Sequence, residues 1–323
     1  MLSRVADSLY WMARYLERAE HTARMLDVNL NLMLDEDPEN GDQRWRRLLE
    51  SLDITKQDGP PADADATQIT HFLTLDLDSS SSILSSIAYA RNNARQLREH
   101  ISSEMWEQLN RLFLELRRET SESLWSGQPH EFCRQVREGV SLFNGITVST
   151  INHGEAWQFI QLGRFLERAA NISSALDVHF RSFYDFEDSS SQAADFMEWV
   201  GLLKSCAAFE AYCRVYTADF NPTRIAEFLL LNAEFPQAVC FSVTSIHDEL
   251  LKIAGGGSNG KNERLQRLTG KWCSTLQYTQ IDEILNEKLH GFLDDIKTQC
   301  SIIHQAVYQT YITYPIESAI APS

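Results

Sequence analysis

Residues 10–28 read YWMARYLERAEHTARMLDV, and residues 160–178 read IQLGRFLERAANISSALDV. At an offset of 150, eight of the sixteen positions from 13 to 28 are identical: Arg14/Arg164, Leu16/Leu166, Glu17/Glu167, Arg18/Arg168, Ala19/Ala169, Leu26/Leu176, Asp27/Asp177 and Val28/Val178. Chance would supply about one, so the chain reads as an internal repeat. The match continues with a slowly growing offset, as short loop insertions produce. Trp45, Leu48, Leu49 and Ser51 align with Trp199, Leu202, Leu203 and Ser205. Phe72, Leu73, Leu75 and Asp76 align with Phe228, Leu229, Leu231 and Asn232, and Ile83 and Ile87 with Val239 and Val243. A weaker match sets Phe132–Val148 beside Phe292–Tyr308.

What repeats is helical. Val5, Leu9, Met12, Leu16, Ala19, Ala23, Leu26 and Leu30 keep a three-four apolar spacing along the first segment. Ile83, Ile87, Ala90, Ala94, Leu97 and Ile101 predict a third helix, Trp106 to Leu116 a fourth, and Phe132 to Phe143 a fifth. Strand-like alternation is nowhere convincing. Glycine (14) and proline (8) are scarce in the 323 residues, which suits long helices with few turns. The expected fold is therefore all-α: a helical bundle of about five helices per half, related by a pseudo-twofold axis. Residues 1–150 are expected to form the first repeat and 151–316 the second, packed on it as one globular unit, with 317–323 a flexible tail. Loops are expected at Asp35–Asp42, Lys56–Thr67, Asp185–Gln192 and Ala254–Lys261.

Charge narrows the partners. With 29 Lys and Arg against 45 Asp and Glu, the formal net charge is −16. Nucleic acid and acidic membrane surfaces would repel such a chain. No secretory apolar segment and no run long enough to span a membrane is visible, so a cytoplasmic location is expected. The six cysteines have no close pairing and read as reduced, mostly buried thiols.

The Glu-Arg segments carry charge in apolar company. At about 100° per residue, Arg18 shares a stripe with Trp11, Tyr15, Thr22 and Met25, and Arg168 with Gln161, Phe165, Ile172 and Ala175. Glu17 lies on the adjoining stripe with Tyr10, Arg14, His21 and Arg24. Three readings stand: Glu and Arg of the two repeats pair near the axis, with Arg14, Glu167 and Arg168 as a structural motif; Glu17 and Arg18 hold a ligand; or both are ordinary surface.

The segments SRVADSLYWMARYLERAEHTARMLDV, LERAANISSALDV and ARNNARQLREHISSEMWEQLN (Ala90–Asn110) together resemble the bacterial alpha-E family, helical proteins with a Glu-Arg motif. The resemblance covers essentially the whole chain. It implies a genetic association, by neighbourhood or fusion, with circularly permuted ATP-grasp proteins and transglutaminase-like proteins. That in turn implies an accessory subunit of an amide or peptide ligase system, docking the ligase and presenting substrate. The alternative is a stand-alone enzyme or small-ligand-binding protein with a Glu/Arg pocket between the repeats.

One asymmetry between the halves points to a surface. Arg91, Arg95 and Arg98 fall at i, i+4 and i+7, with Asn92 and Asn93 among them, whereas the second half has Ser245-Ile246-His247-Asp248-Glu249 there. Clustered arginines in an acidic chain suit a carboxylate, a phosphate or an acidic partner, or form a solvated face paired with Glu99 and Glu104. An Ala-Arg-x-Asn-Ala-Arg run is typical of the family, which makes Arg91, Asn93, Arg95 and Arg98 candidates, with Asn110 completing a polar pocket beside a core Trp106.

No HExxH, EF-hand, GxSxG or phosphate-cradling loop is present, and Gly255-Gly256-Gly257 is not followed by a Lys-Ser/Thr pair. No metal and no cofactor is expected. Catalytic residues and oligomeric state stay open.

Overall fold

The computed structural model describes residues 2–33, 41–126, 129–184, 196–217, 219–255, 260–285 and 289–313. Among them every regular element is helical. In chain order these are α1 (Ser3–Met33), α2 (Gly41–Ser51), α3 (Ala66–Thr74), α4 (Ile83–Gln96), α5 (Ser103–Leu116), α6 (Ser121–Ser126) and α7 (Pro129–Thr150). There follow α8 (Glu155–Phe183), α9 (Phe196–Ser205), α10 (Phe209–Tyr216), α11 (Pro222–Leu231), α12 (Val239–Ala254), α13 (Gly260–Tyr278), α14 (Ile281–Leu285) and α15 (Leu289–Val307), with a π-helical turn at Tyr308–Ile312.

Each half thus holds more helices than the expected five, because short ones escape a periodicity argument. α3 is set by its ends: Asp65 and Gln68 form a reciprocal capping box. α11 opens on the Asn221 side-chain cap with Pro222 in the first turn. The loop expectations also shift. Gly41 and Asp42 already belong to α2, Ala66 and Thr67 to α3, and Ala254 ends α12. Gly255 caps α12, Gly260 and Lys261 open α13, and residues 35–40, 185–192, 256–259 and 317–323 lie outside the described residues.

The two longest helices, α1 and α8, form the spine. Along it Tyr10 touches Gly163, Arg14 meets Glu167, and Glu17 meets Arg168. Contacts advance together on both, so the helices run side by side in one direction. A Cβ on Gly163 would lie 2.2 Å from the carbonyl oxygen of Tyr10, so this approach is available only to glycine. α4 and α7 cover the remaining sides of α1, and α12 and α15 those of α8. α2 crosses to pack on α8, and α9 crosses to pack on α1.

One apolar cluster runs through residues of both halves, from Leu9, Met12 and Leu26 to Leu166, Phe180 and Val243. α2 and α9 end alike: Asp53 (φ 54°) and Ala207 (φ 52°) take left-handed backbone, and the amides of Ile54 and Ala208 return to the carbonyls of Leu49 and Leu203.

Candidate functional site

Where α1 and α8 touch, six charged side chains converge. Arg168 donates from Nε and Nη2 to the two Glu17 oxygens at 2.5 and 2.8 Å, and from Nη1 to the Pro236 carbonyl at 2.9 Å. Arg164 stands 3.5 Å from the same carboxylate. On the other side Glu167 receives Arg14 Nε at 2.6 Å and Arg18 Nε at 2.7 Å. Each glutamate therefore holds two arginines of the opposite helix. Glu and Arg of the two segments thus face each other across the contact of α1 and α8.

The electrostatics follow from burial against pairing. Glu17, Glu167 and Arg168 are buried. Burial alone would raise the glutamate pKa values, but Arg168 and Arg164 hold Glu17 below the usual range. Arg14 and Arg18 hold Glu167 down to about 2. Both are carboxylates at neutral pH, with their lone pairs taken by arginine. Neither is poised to move a proton.

The Glu167 side extends outward. Arg14 also donates to the Tyr10 hydroxyl, which bonds His304 Nδ1 at 2.9 Å. Burial and the nearby Arg14 lower the His304 pKa, so the ring is neutral and accepts at Nδ1. Trp11 donates its indole N–H to the Tyr308 hydroxyl, which donates to Asp7 at 2.6 Å. The π turn after α15 is thereby tied to the start of α1.

Two further sets of polar contacts form around Asp27 and Asp177, identical residues of the two matching segments. Asp27 accepts from His130 Nδ1 at 2.7 Å and meets Arg137 at 3.0 Å. Asp177 accepts from His290 Nδ1 at 2.7 Å and meets Lys297 at 3.6 Å. Sequence reasoning singled out Asp27/Asp177 only as identities. The faint match of α7 with α15, extended back to His130 and His290, would have revealed their partners. It also missed a cavity of about 40 Å³ between α1, α2, α8 and α9, where Arg44 pairs with Glu198 and His179 donates to the Glu198 carbonyl at 3.0 Å.

The arginine row comes out differently from its expected form. α4 stops at Gln96 with Leu97 as its cap, so Arg98 lies in the following turn and not on the helical stripe. The apolar signal ran on because Leu97 and Ile101 return to the core through that turn. Arg91 donates to Asn110 Oδ1 at 2.8 Å and lies over the rings of Phe113 and Trp106. Arg98 also lies over Trp106. Trp106 is half-buried beneath these arginines, not a core residue. Asn93 is half-buried and Arg95 exposed. Among the described residues neither Glu99 nor Glu104 pairs with the row.

Of the six cysteines, all free, five are buried and Cys213 is half-buried. Among the described residues no group of three or more His, Cys, Asp or Glu could hold a metal ion. No described helix is long and apolar enough to cross a membrane.

The chain is similar to uncharacterised proteins of Mycobacterium bovis and of two strains of Mycobacterium tuberculosis, each 22% identical over 280 residues. The alignments cover 81% of this chain but 31% of each relative, so the chain spans under a third of their length. No solved structure matches. Residues 1–312 match the model of the Alpha-E family, described as a predicted alpha-helical domain with a conserved ER motif. With Leu-Glu-Arg-Ala at 16–19 and again at 166–169, the chain belongs to the Alpha-E family.

Proposed function

We propose that the chain is an accessory subunit, a helical platform that docks an ATP-grasp-type amide or peptide ligase and presents its substrate, with a transglutaminase-like protein as a second partner. The observation that carries this reading is the arginine row. Arg95 is exposed and has no charge partner among the described residues, while Arg91 and Arg98 are stiffened by α5 aromatics. In a chain of net charge −16 such a row favours an acidic protein surface. The curated relatives, of which this chain spans 31%, suit a module that works alongside other domains.

The platform itself we infer to be an internal duplication with a pseudo-twofold axis along α1 and α8. In support, α1 to α7 correspond in order to α8, α9, α11, α12, α13, α14 and α15, with α10 as an insertion. The pairs Glu17–Arg168 and Glu167–Arg18, and Arg164–Glu17 and Arg14–Glu167, then become symmetry mates.

The test is co-purification with a circularly permuted ATP-grasp protein of the same organism. The variant Arg91→Ala/Arg95→Ala is expected to keep its melting transition and to bind the ligase at least about tenfold more weakly. A ligase that ignores the chain, or binds the variant equally well, overturns the proposal.

A further inference from the structure

Arg18 and Arg168 occupy matched positions but are not equally satisfied. Arg168 spends Nε and both terminal nitrogens on Glu17 and Pro236, and is 2% exposed. Arg18 uses only Nε, on Glu167. Its two terminal nitrogens have no hydrogen-bond partner among the described residues, and its side chain is 30% exposed. The local charge is also uneven. Glu167 is one carboxylate between the Arg14 and Arg18 guanidinium groups, and the neutral His304 adds none. The next carboxylate, Asp7, already accepts from Tyr308.

Beside this unspent guanidinium edge stands a wall of rings. Trp11 stacks on Tyr15 at 5.3 Å between centroids, and Tyr15 contacts Tyr89 of α4 at 5.2 Å. Arg14 lies over Trp11 and Arg18 over Tyr15. Tyr89 is 42% exposed, so the row of rings ends in an open aromatic surface. At the matched positions of the second half Phe165 stands for Tyr15 and Ser245 for Tyr89, and Phe165 lies instead against Phe241.

We infer that Arg18 and the Trp11–Tyr15–Tyr89 wall form a binding site for a small organic anion that carries a carboxylate or phosphate next to a planar ring. The fork of Arg18 suits two oxygens of one oxyanion, and the ring lies against Tyr89. The site is distinct from the arginine row, and the inference does not depend on the docking reading.

Calorimetric titration of the full chain tests it, with benzoate and phenyl phosphate as ring-bearing probes and acetate and inorganic phosphate as ring-free ones. One of the ring-bearing anions is expected to saturate at one per chain, and its ring-free partner to bind at least about tenfold more weakly. The preferred probe of the two identifies the oxyanion. Arg18→Gln and Tyr89→Ala should each weaken binding by about tenfold or more, with Arg134→Ala, at an exposed arginine of α7, as the unaffected control. Tyr89→Ala alters an exposed ring, so it decides the matter even if Arg18→Gln fails to fold. No saturable binding below about 10 mM, equal binding with and without the ring, or unchanged binding in Tyr89→Ala overturns the inference.

Discussion

Glu17 and Arg168 meet through two hydrogen bonds, 2.5 and 2.8 Å long, in a place where both side chains have almost no contact with solvent. The pair fixes how α1 and α8 lie together. It need not add net stability over an apolar replacement, but it is costly to break from one side. Glu17→Ala takes from Arg168 and Arg164 the carboxylate they share. The expected loss is about 3–5 kcal/mol in urea unfolding. Arg134, exposed and paired with Glu131 and Glu138, is the comparison, and Arg134→Ala should leave the urea midpoint almost where it was. A Glu17→Ala shift as small as that would remove the spine's ion pairs from the account of the fold.

Two glycines separate close packing from mere helix content. Gly163→Ala drives a methyl into the Tyr10 carbonyl, which is backbone and cannot swing away, so the spine must part. A loss of about 1–3 kcal/mol or more is expected. Gly145 of α7 has nothing within 4 Å of its missing Cβ, and Gly145→Ala should stabilise by about 0.5–1 kcal/mol. Thermal denaturation of the two variants beside the parent checks both signs.

Helices of the spine were legible because their apolar spacing is long and their charges sit on the wrong stripe for solvent. Arg168 beside Phe165 and Ile172 is a case in point: a charge among apolar neighbours implies a partner, and the partner is Glu17. What the sequence could not reveal was the division of labour among equal residues. Arg18 and Arg168 read alike, yet only Arg168 meets the Pro236 carbonyl, a contact made from far along the chain. The end of α4 was hidden for another reason. Leu97 and Ile101 satisfy helical spacing while packing from a turn, because the core rewards burial and is indifferent to the backbone that delivers it. Short α3 and α6 carry too few turns for periodicity to register.

Thiol chemistry should divide the cysteines by burial. Burial pushes Cys206 and Cys300 up to about 12, and Cys133 and Cys240 are raised as well, so their thiolates are scarce at neutral pH. Cys213 is half-buried on α10. Titration of the native protein with a thiol reagent is expected to modify Cys213 quickly and the others only on unfolding. Rapid modification of Cys133 or Cys300 in the folded protein would contradict their placement.

Acid should weaken the fold before its carboxylates titrate. His21 lies against Glu17 with its Nε2 buried and without a hydrogen-bond partner. Burial is the main cause that lowers its pKa to about 4; Glu17 and Glu167 oppose this, and Arg24 and Arg168 reinforce it. His179, beside Glu198, Arg44 and Arg47, is lowered to about 4 by the same burial. Between pH 6.5 and 4 the unfolded chain binds these protons and the folded chain does not. The stability each ring contributes is therefore complete above the ordinary histidine value and is lost as pH falls toward 4. Glu167, held at about 2, adds its own loss only below its ordinary range near 4.5. From pH 7.5 to 5 the expected decline is on the order of 1–2 kcal/mol per ring. His21→Asn, which installs the residue found at the matched position 171, should flatten the urea-midpoint profile over that interval, and an added His179→Asn should flatten it further. A double variant with the parent's slope would mean that neither ring is kept neutral by the fold.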